Sequence, residues 1–161
     1  MPIAEKTIIV SAPISEVYQF WTQFDRFPEF MDNIKSVEKK GERLSHWVAK
    51  GPLNTSVEWD AETTMLEPNK RIAWNSRDNG DITTSGQVTF ADLGNNQTQI
   101  TVTLKYDPPA GVVGDVVAKI FSNPQSELEE DLERFKTIIN QQRTYDRGRV
   151  PETDSREAGS Q

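Results

Sequence analysis

The chain has no cysteine and a single histidine, His46, in 161 residues. Without thiols there are no disulfides, no thiolate metal sites and no cysteine nucleophile. One imidazole is too few for most transition-metal centres. Hydrophobic residues make up only 35% of the chain, and no run approaches the roughly 20 apolar residues of a membrane span. Basic residues are also in deficit. Lys and Arg number 18 against 25 Asp and Glu, for a net charge of −7. That balance argues against a nucleic-acid backbone or an anionic membrane as partner. Met1 to Val10 shows no charged stretch followed by a long apolar one, so no signal peptide is expected. The expectation is a cytoplasmic protein with no metal and no cofactor, its oligomeric state open with a monomer favoured.

What is present is one long apolar stripe near the C-terminus. Val113, Val116, Val117, Ile120 and Phe121 recur at helical spacing, and Leu128, Leu132, Phe135, Ile138 and Ile139 continue the phase. The spacing predicts a helix over 111–142. At ~1.5 Å per residue it would run roughly 45 Å, enough to cross a small domain. Pro124 removes a backbone donor inside it, so a kink or restart is expected there. Glu127, Glu129, Glu130, Asp131 and Glu133 follow at once, which suits the positive end of a new helix. Ser126 with Glu129 matches a capping box. These acids read as a solvated outer face.

Everything between Ile34 and Tyr106 reads as short strands of period two. Strands are expected over 34–40, 43–50, 55–66, 71–77, 83–91 and 97–106, after a first strand over 3–10. Between them come the turns Gly51-Pro52-Leu53-Asn54, Pro68-Asn69-Lys70, Asp78-Asn79-Gly80-Asp81 and Asp92 to Asn96, the third a strong turn signal. Ser15 is placed to cap a short helix whose Val17, Phe20, Trp21 and Phe24 share a face. A second short helical piece covers Asp25 to Met31. Its Phe27, Phe30 and Met31 read as core. After Thr144 no apolar period remains. The expected organisation is one α+β domain over 1–143 and a disordered polar tail over 144–161.

Candidate chemistry is thin. Glu58, Asp60 and Glu62 alternate with Trp59 and Ala61, so the three carboxylates share one face of a strand. Three buried carboxylates would repel and lose hydration, so a solvated face is expected. The alternation alone leaves open which set points inward. His46 has no nucleophile in a recognisable arrangement, and no catalytic residue is assigned. Gly111, Gly114 and Asp115 lack the spacing and the lysine of a phosphate loop. Arg71 and Arg77 read as surface groups. The large apolar set carries more information. Trp47, Trp59, Trp74, Phe90, Tyr106 and Phe121, with Val57, Val88, Val102, Leu104, Val113 and Val117, must pack between sheet and long helix. They line either a solid core or a ligand cavity, and the residues alone leave the two equal.

Several strings carry a family resemblance. They are Ala12-Pro13 with Val17-Tyr18-Gln19-Phe20-Trp21; Phe27-Pro28-Glu29-Phe30-Met31; Ser45-His46-Trp47; Glu58-Trp59-Asp60-Ala61-Glu62; Ile72-Ala73-Trp74; and Arg134-Phe135-Lys136. With the order of elements, they resemble the START-like helix-grip superfamily, and within it the bacterial polyketide cyclase/dehydrase subgroup. The resemblance implies a curved seven-stranded antiparallel sheet wrapped around a long C-terminal helix, two short helices after the first strand, and a cavity between. It tilts the balance toward a cavity lined by the twelve residues just named. It implies binding or transport of a hydrophobic small molecule: a lipid, a quinone or a polyketide-like aromatic. Two alternatives stay open. One is a cyclase or dehydrase acting on a polyketide-like substrate. The other is a protein-interaction module of the ribosome- or quinone-associated kind.

Overall fold

A computed structural model describes residues 3–51, 54–77, 80–107 and 123–153, with side chains up to residue 141. Strand β1 (Ile3–Val10) leads into helix α1 (Ile14–Thr22) and a 3-10 turn (Phe24–Glu29). Six strands follow: β2 (Ile34–Lys39), β3 (Leu44–Lys50), β4 (Ser56–Glu67), β5 (Arg71–Ser76), β6 (Thr83–Gly94) and β7 (Gln97–Asp107). Helix α2 (Pro124–Thr153) closes the described chain.

The seven strands form one antiparallel sheet in the order β1-β7-β6-β5-β4-β3-β2. The sheet is a meander from β2 to β7 with β1 added beside the last strand. Turn chemistry explains the tight links. Asn95 and Asn96 both have positive φ (55° and 58°) between the paired Gly94 and Gln97, the geometry of a two-residue hairpin turn, which Asn tolerates better than most residues. Asn69 does the same at φ 62° before Lys70 donates back to the Glu67 carbonyl at 2.9 Å.

Period two decides which face is which. In β4, Val57, Trp59, Ala61 and Thr63 are buried while Glu58 and Glu62 are exposed, so the apolar set is the one that points inward. On that inner, concave face α2 lays its stripe of Leu128, Leu132, Phe135 and Ile139, each 3% exposed or less. Phe135 meets Phe20, Trp21 and Phe30 at centroid distances of 5.1–5.4 Å. With Phe27 these rings make a solid aromatic plug at one end of the grip. Edge-on packing of this kind adds to the area each ring buries.

Three local expectations change. Ser15 lies inside α1 rather than capping it. The cap position belongs to Pro13, whose extended backbone (ψ 148°) ends the strand and whose carbonyl receives the amides of Glu16 and Val17. Phe24 opens the 3-10 turn instead of closing α1. Ser126 is inside α2 rather than at its cap, because the helix already starts at Pro124, where a missing N–H costs nothing. The first half of the expected long helix, over 111–122, lies outside the described residues. At the other end, the helical backbone runs on to Thr153, past the boundary that the apolar period sets at Arg143.

Candidate functional site

Beside the aromatic plug, sheet and α2 leave a space of about 100 Å³. Its walls come from nearly every element. The loop before β2 gives Met31 and Asn33, and β2 gives Ile34. Trp47, Trp59 and Trp74 come from the neighbouring strands β3, β4 and β5. Ile82 comes from just before β6 and Thr84 from its start, and Leu104, Lys105 and Tyr106 from the end of β7. Pro124, Glu127, Leu128 and Asp131 come from the first turns of α2. The volume is close to the ~150 Å³ cavity that accepts a benzene ring. It is below the ~300–1,000 Å³ of pockets that enclose drug-sized ligands. A larger guest therefore needs side chains to swing aside.

The indoles define the surface. Trp47 and Trp59 are paired across β3 and β4 and stack at 6.1 Å with their planes 13° apart. The Trp47 indole is pinned by its Nε1–H, which donates to Ser45 Oγ at 2.8 Å. Trp74 lies over Gly86, its partner on β6. A Cβ there would sit 2.5 Å from Trp74 Cζ2, so only glycine admits the ring in this position. Gly80 lets its turn approach the backbone of β4, where a Cβ would come within 2.7 Å of Trp59 Cβ and 2.9 Å of Trp59 Cα.

One wall is acidic. Glu127 Oε2 accepts from the Asn33 side-chain amide at 2.5 Å, and Oε1 accepts from the Asn123 N–H at 3.4 Å. Burial raises its pKa, with the neighbouring acids adding to the rise. Burial pushes Asp131 further, from 3.8 to about 6, against the pull of Arg134. Arg134 bonds to the Asp131 carboxylate and to the Phe30 carbonyl, the latter at 3.0 Å, and approaches Asp32 at 3.4 Å. Tyr106, on the same wall, is raised by burial and then by the charge of Glu127. Thr84 Oγ1 donates to the Lys105 carbonyl at 2.8 Å. Lys105 itself is exposed and borders a polar groove on the outer face as well.

Of the twelve residues expected to line a cavity, Trp47, Trp59, Trp74, Leu104 and Tyr106 border this space. Val57, Val88, Phe90 and Val102 are buried elsewhere in the core. Phe90 packs edge-on against Tyr18 at 5.5 Å. Val113, Val117 and Phe121 lie outside the described residues. Glu127 and Asp131 are corrections to the sequence reading, which placed them on a solvated outer face. They flank Leu128 and Leu132 by one position, which turns them toward the gap where α2 leaves the sheet. Their i, i+4 spacing beside two stripe leucines is the signal that was available. Met31, expected as core, also borders the space.

The outer face of the sheet holds the other charged group. His46 alternates with Trp47 and so points away from the pocket. Its Nδ1 lies 2.8 Å from Asp60 Oδ1 and its Nε2 2.7 Å from Glu58 Oε1. The two carboxylates raise its pKa, Asp60 first. Glu58, Asp60 and Glu62 thus share the outward face, and two of them clamp the histidine. Among the described residues, no cluster of three His, Asp or Glu side chains is arranged to hold a metal.

A curled antiparallel sheet closed by a C-terminal helix defines the helix-grip class. Within it, the chain belongs to the family of polyketide cyclases/dehydrases and lipid transport proteins, whose sequence profile matches residues 10–133. An uncharacterized 17.2 kDa protein of Streptomyces lincolnensis is 33% identical over 148 residues, 88% of this chain and 91% of its own. A crystal structure from Deinococcus radiodurans superposes with a TM-score of 0.72 at 30% identity, over 87% of this chain and 98% of its own. The Zhui aromatase/cyclase of a Streptomyces strain superposes at 0.64 with 15% identity, over 83% and 90%. At that identity the likeness is one of fold.

Proposed function

We propose that the protein binds and carries a hydrophobic small molecule, a lipid, quinone or polyketide-like aromatic, in the space between the sheet and the start of α2. The observation behind this reading is the wall of three indoles from adjacent strands, with Gly86 making room for the Trp74 ring, facing a few convergent polar groups on α2. Pockets for small ligands have that composition. The chain's single histidine is turned to the other face.

The test pairs native mass spectrometry of protein purified from its own source with uptake of a fluorescent apolar probe. A co-purifying small molecule, and probe uptake by the emptied protein, are the expected results. Leu104→Phe should fill the space and abolish uptake with the fold retained. An emptied wild type that takes up no probe would sink the reading.

A cyclase or dehydrase acting on a polyketide-like substrate is the second reading. It draws on Asp131, whose carboxyl titrates near 6, within the range where general acids and bases work. Product formed from a model polyketide, lost in Asp131→Asn while binding persists, would favour it. Binding without turnover favours the carrier.

A further inference from the structure

The pocket has an uneven electrostatic wall. Asp131 is matched by Arg134. Glu127, one helical turn earlier, receives the neutral amides of Asn33 and Asn123. Among the described residues, no ion pair reaches it. Its carboxylate borders a space whose opposite walls are Trp47, Trp59 and Trp74.

The geometry points to a ligand that carries a basic nitrogen on an apolar body, its ammonium beside Glu127 and its body against the three indoles. The inference rests on the reading of this space as the ligand site and adds the chemical class of the guest. Three features agree. A carboxylate partly removed from water gains most from a positive partner, because the attraction is screened less there. The three indoles offer the apolar body broad aromatic surface to pack against. Lys105 also borders the space as an exposed cation, but the net surrounding charge is negative, since Glu129, Glu130 and Glu133 lie on the adjoining outer face of α2 and the chain carries −7 overall. By the same argument an anionic head, such as a free carboxylate, is repelled.

Three probes of one size separate the possibilities: benzylamine, benzyl alcohol and benzoate, each near the benzene scale of the space. Binding is followed by tryptophan fluorescence at pH 7.5 and fixed ionic strength. The amine should bind at least tenfold more tightly than the alcohol, and benzoate most weakly. Glu127→Gln should bring the amine down to the level of the alcohol. The alcohol should still bind and the variant should still unfold cooperatively, which shows the pocket intact. An alcohol that binds as well as the amine, or an amine affinity untouched by Glu127→Gln, overturns the inference and leaves the carrier reading standing. A folded protein that binds none of the three overturns both.

Discussion

Asp131 takes up its proton more readily in the fold than in the open chain, about 6 against 3.8. Between those values the folded state holds more protons, so its contribution to stability is present below about pH 3.8 and lost as pH rises through about 6. At ~1.4 kcal/mol per unit, the loss is on the order of 1–3 kcal/mol. Asp131→Asn should flatten the stability profile between about pH 4 and pH 7, read by urea denaturation across that range. His46 is raised as well, but as a cation it gains from its partners. Its contribution is complete below its ordinary value of 6.5 and lost as pH rises through the higher folded value. His46→Gln should therefore destabilise near pH 6, by no more than about 1 kcal/mol for so exposed a pair, and not near pH 9. A cost equal at both values would show that packing, not charge, is what His46 supplies. The outward face of Glu58 and Glu62 was legible from alternation, once the apolar set was taken as buried. Glu127 and Asp131 were not, because a helix surface has no two-valued choice. A residue next to the stripe is buried or exposed according to what stands opposite it, and here that is a gap.

At the scale of elements, α2 is held by side-chain ties to distant backbone. The Gln125 amide donates to the Glu5 carbonyl at 2.8 Å and its oxygen accepts from the Glu5 N–H at 3.0 Å. Asn140 Oδ1 accepts from the Ser11 N–H at 3.1 Å. Arg134 clamps the turn at Phe30–Asp32. Arg134→Met should cost on the order of 2 kcal/mol, because it frees a buried carbonyl and leaves Asp131 desolvated without its partner. Adding Asp131→Asn should recover part of that loss. A double-mutant cycle with no coupling would show that the two side chains act independently. The seven strands and the start of α2 at Pro124 were readable from period and proline chemistry. The bounds of α1 were not. Ser15 carried a capping signal, but Pro13 had already set the first turn.

For the molecule as a whole, the last buried stripe residue among those described is Ile139 (3% exposed), followed by the Asn140 tie. Truncation after Arg143 is expected to change unfolding free energy by less than about 0.5 kcal/mol, the range for groups outside such packing. A larger loss in thermal or chemical denaturation would show that the segment beyond docks on the domain. Whether a grip-like sheet encloses a solid core or a cavity was beyond the sequence. Both need the same apolar residues, and the difference lies in whether glycines stand under the large rings. Gly86 stands under Trp74, yet its place inside a strand falls in no pattern that marks it.

The sheet order has a consequence for how the protein is made. Strand β1 leaves the ribosome first, but its hydrogen-bonding partner is β7, so that Thr7 meets Thr101 across 94 positions of chain. Strands β2 to β7 each pair with the next as they emerge, while Ala4, Ile8 and Val10 wait without a surface to cover. Closing so long a loop makes the last pairing slow relative to the hairpins. Throughout synthesis the growing chain therefore presents one unpaired apolar strand, the state in which nascent proteins are most prone to associate with one another.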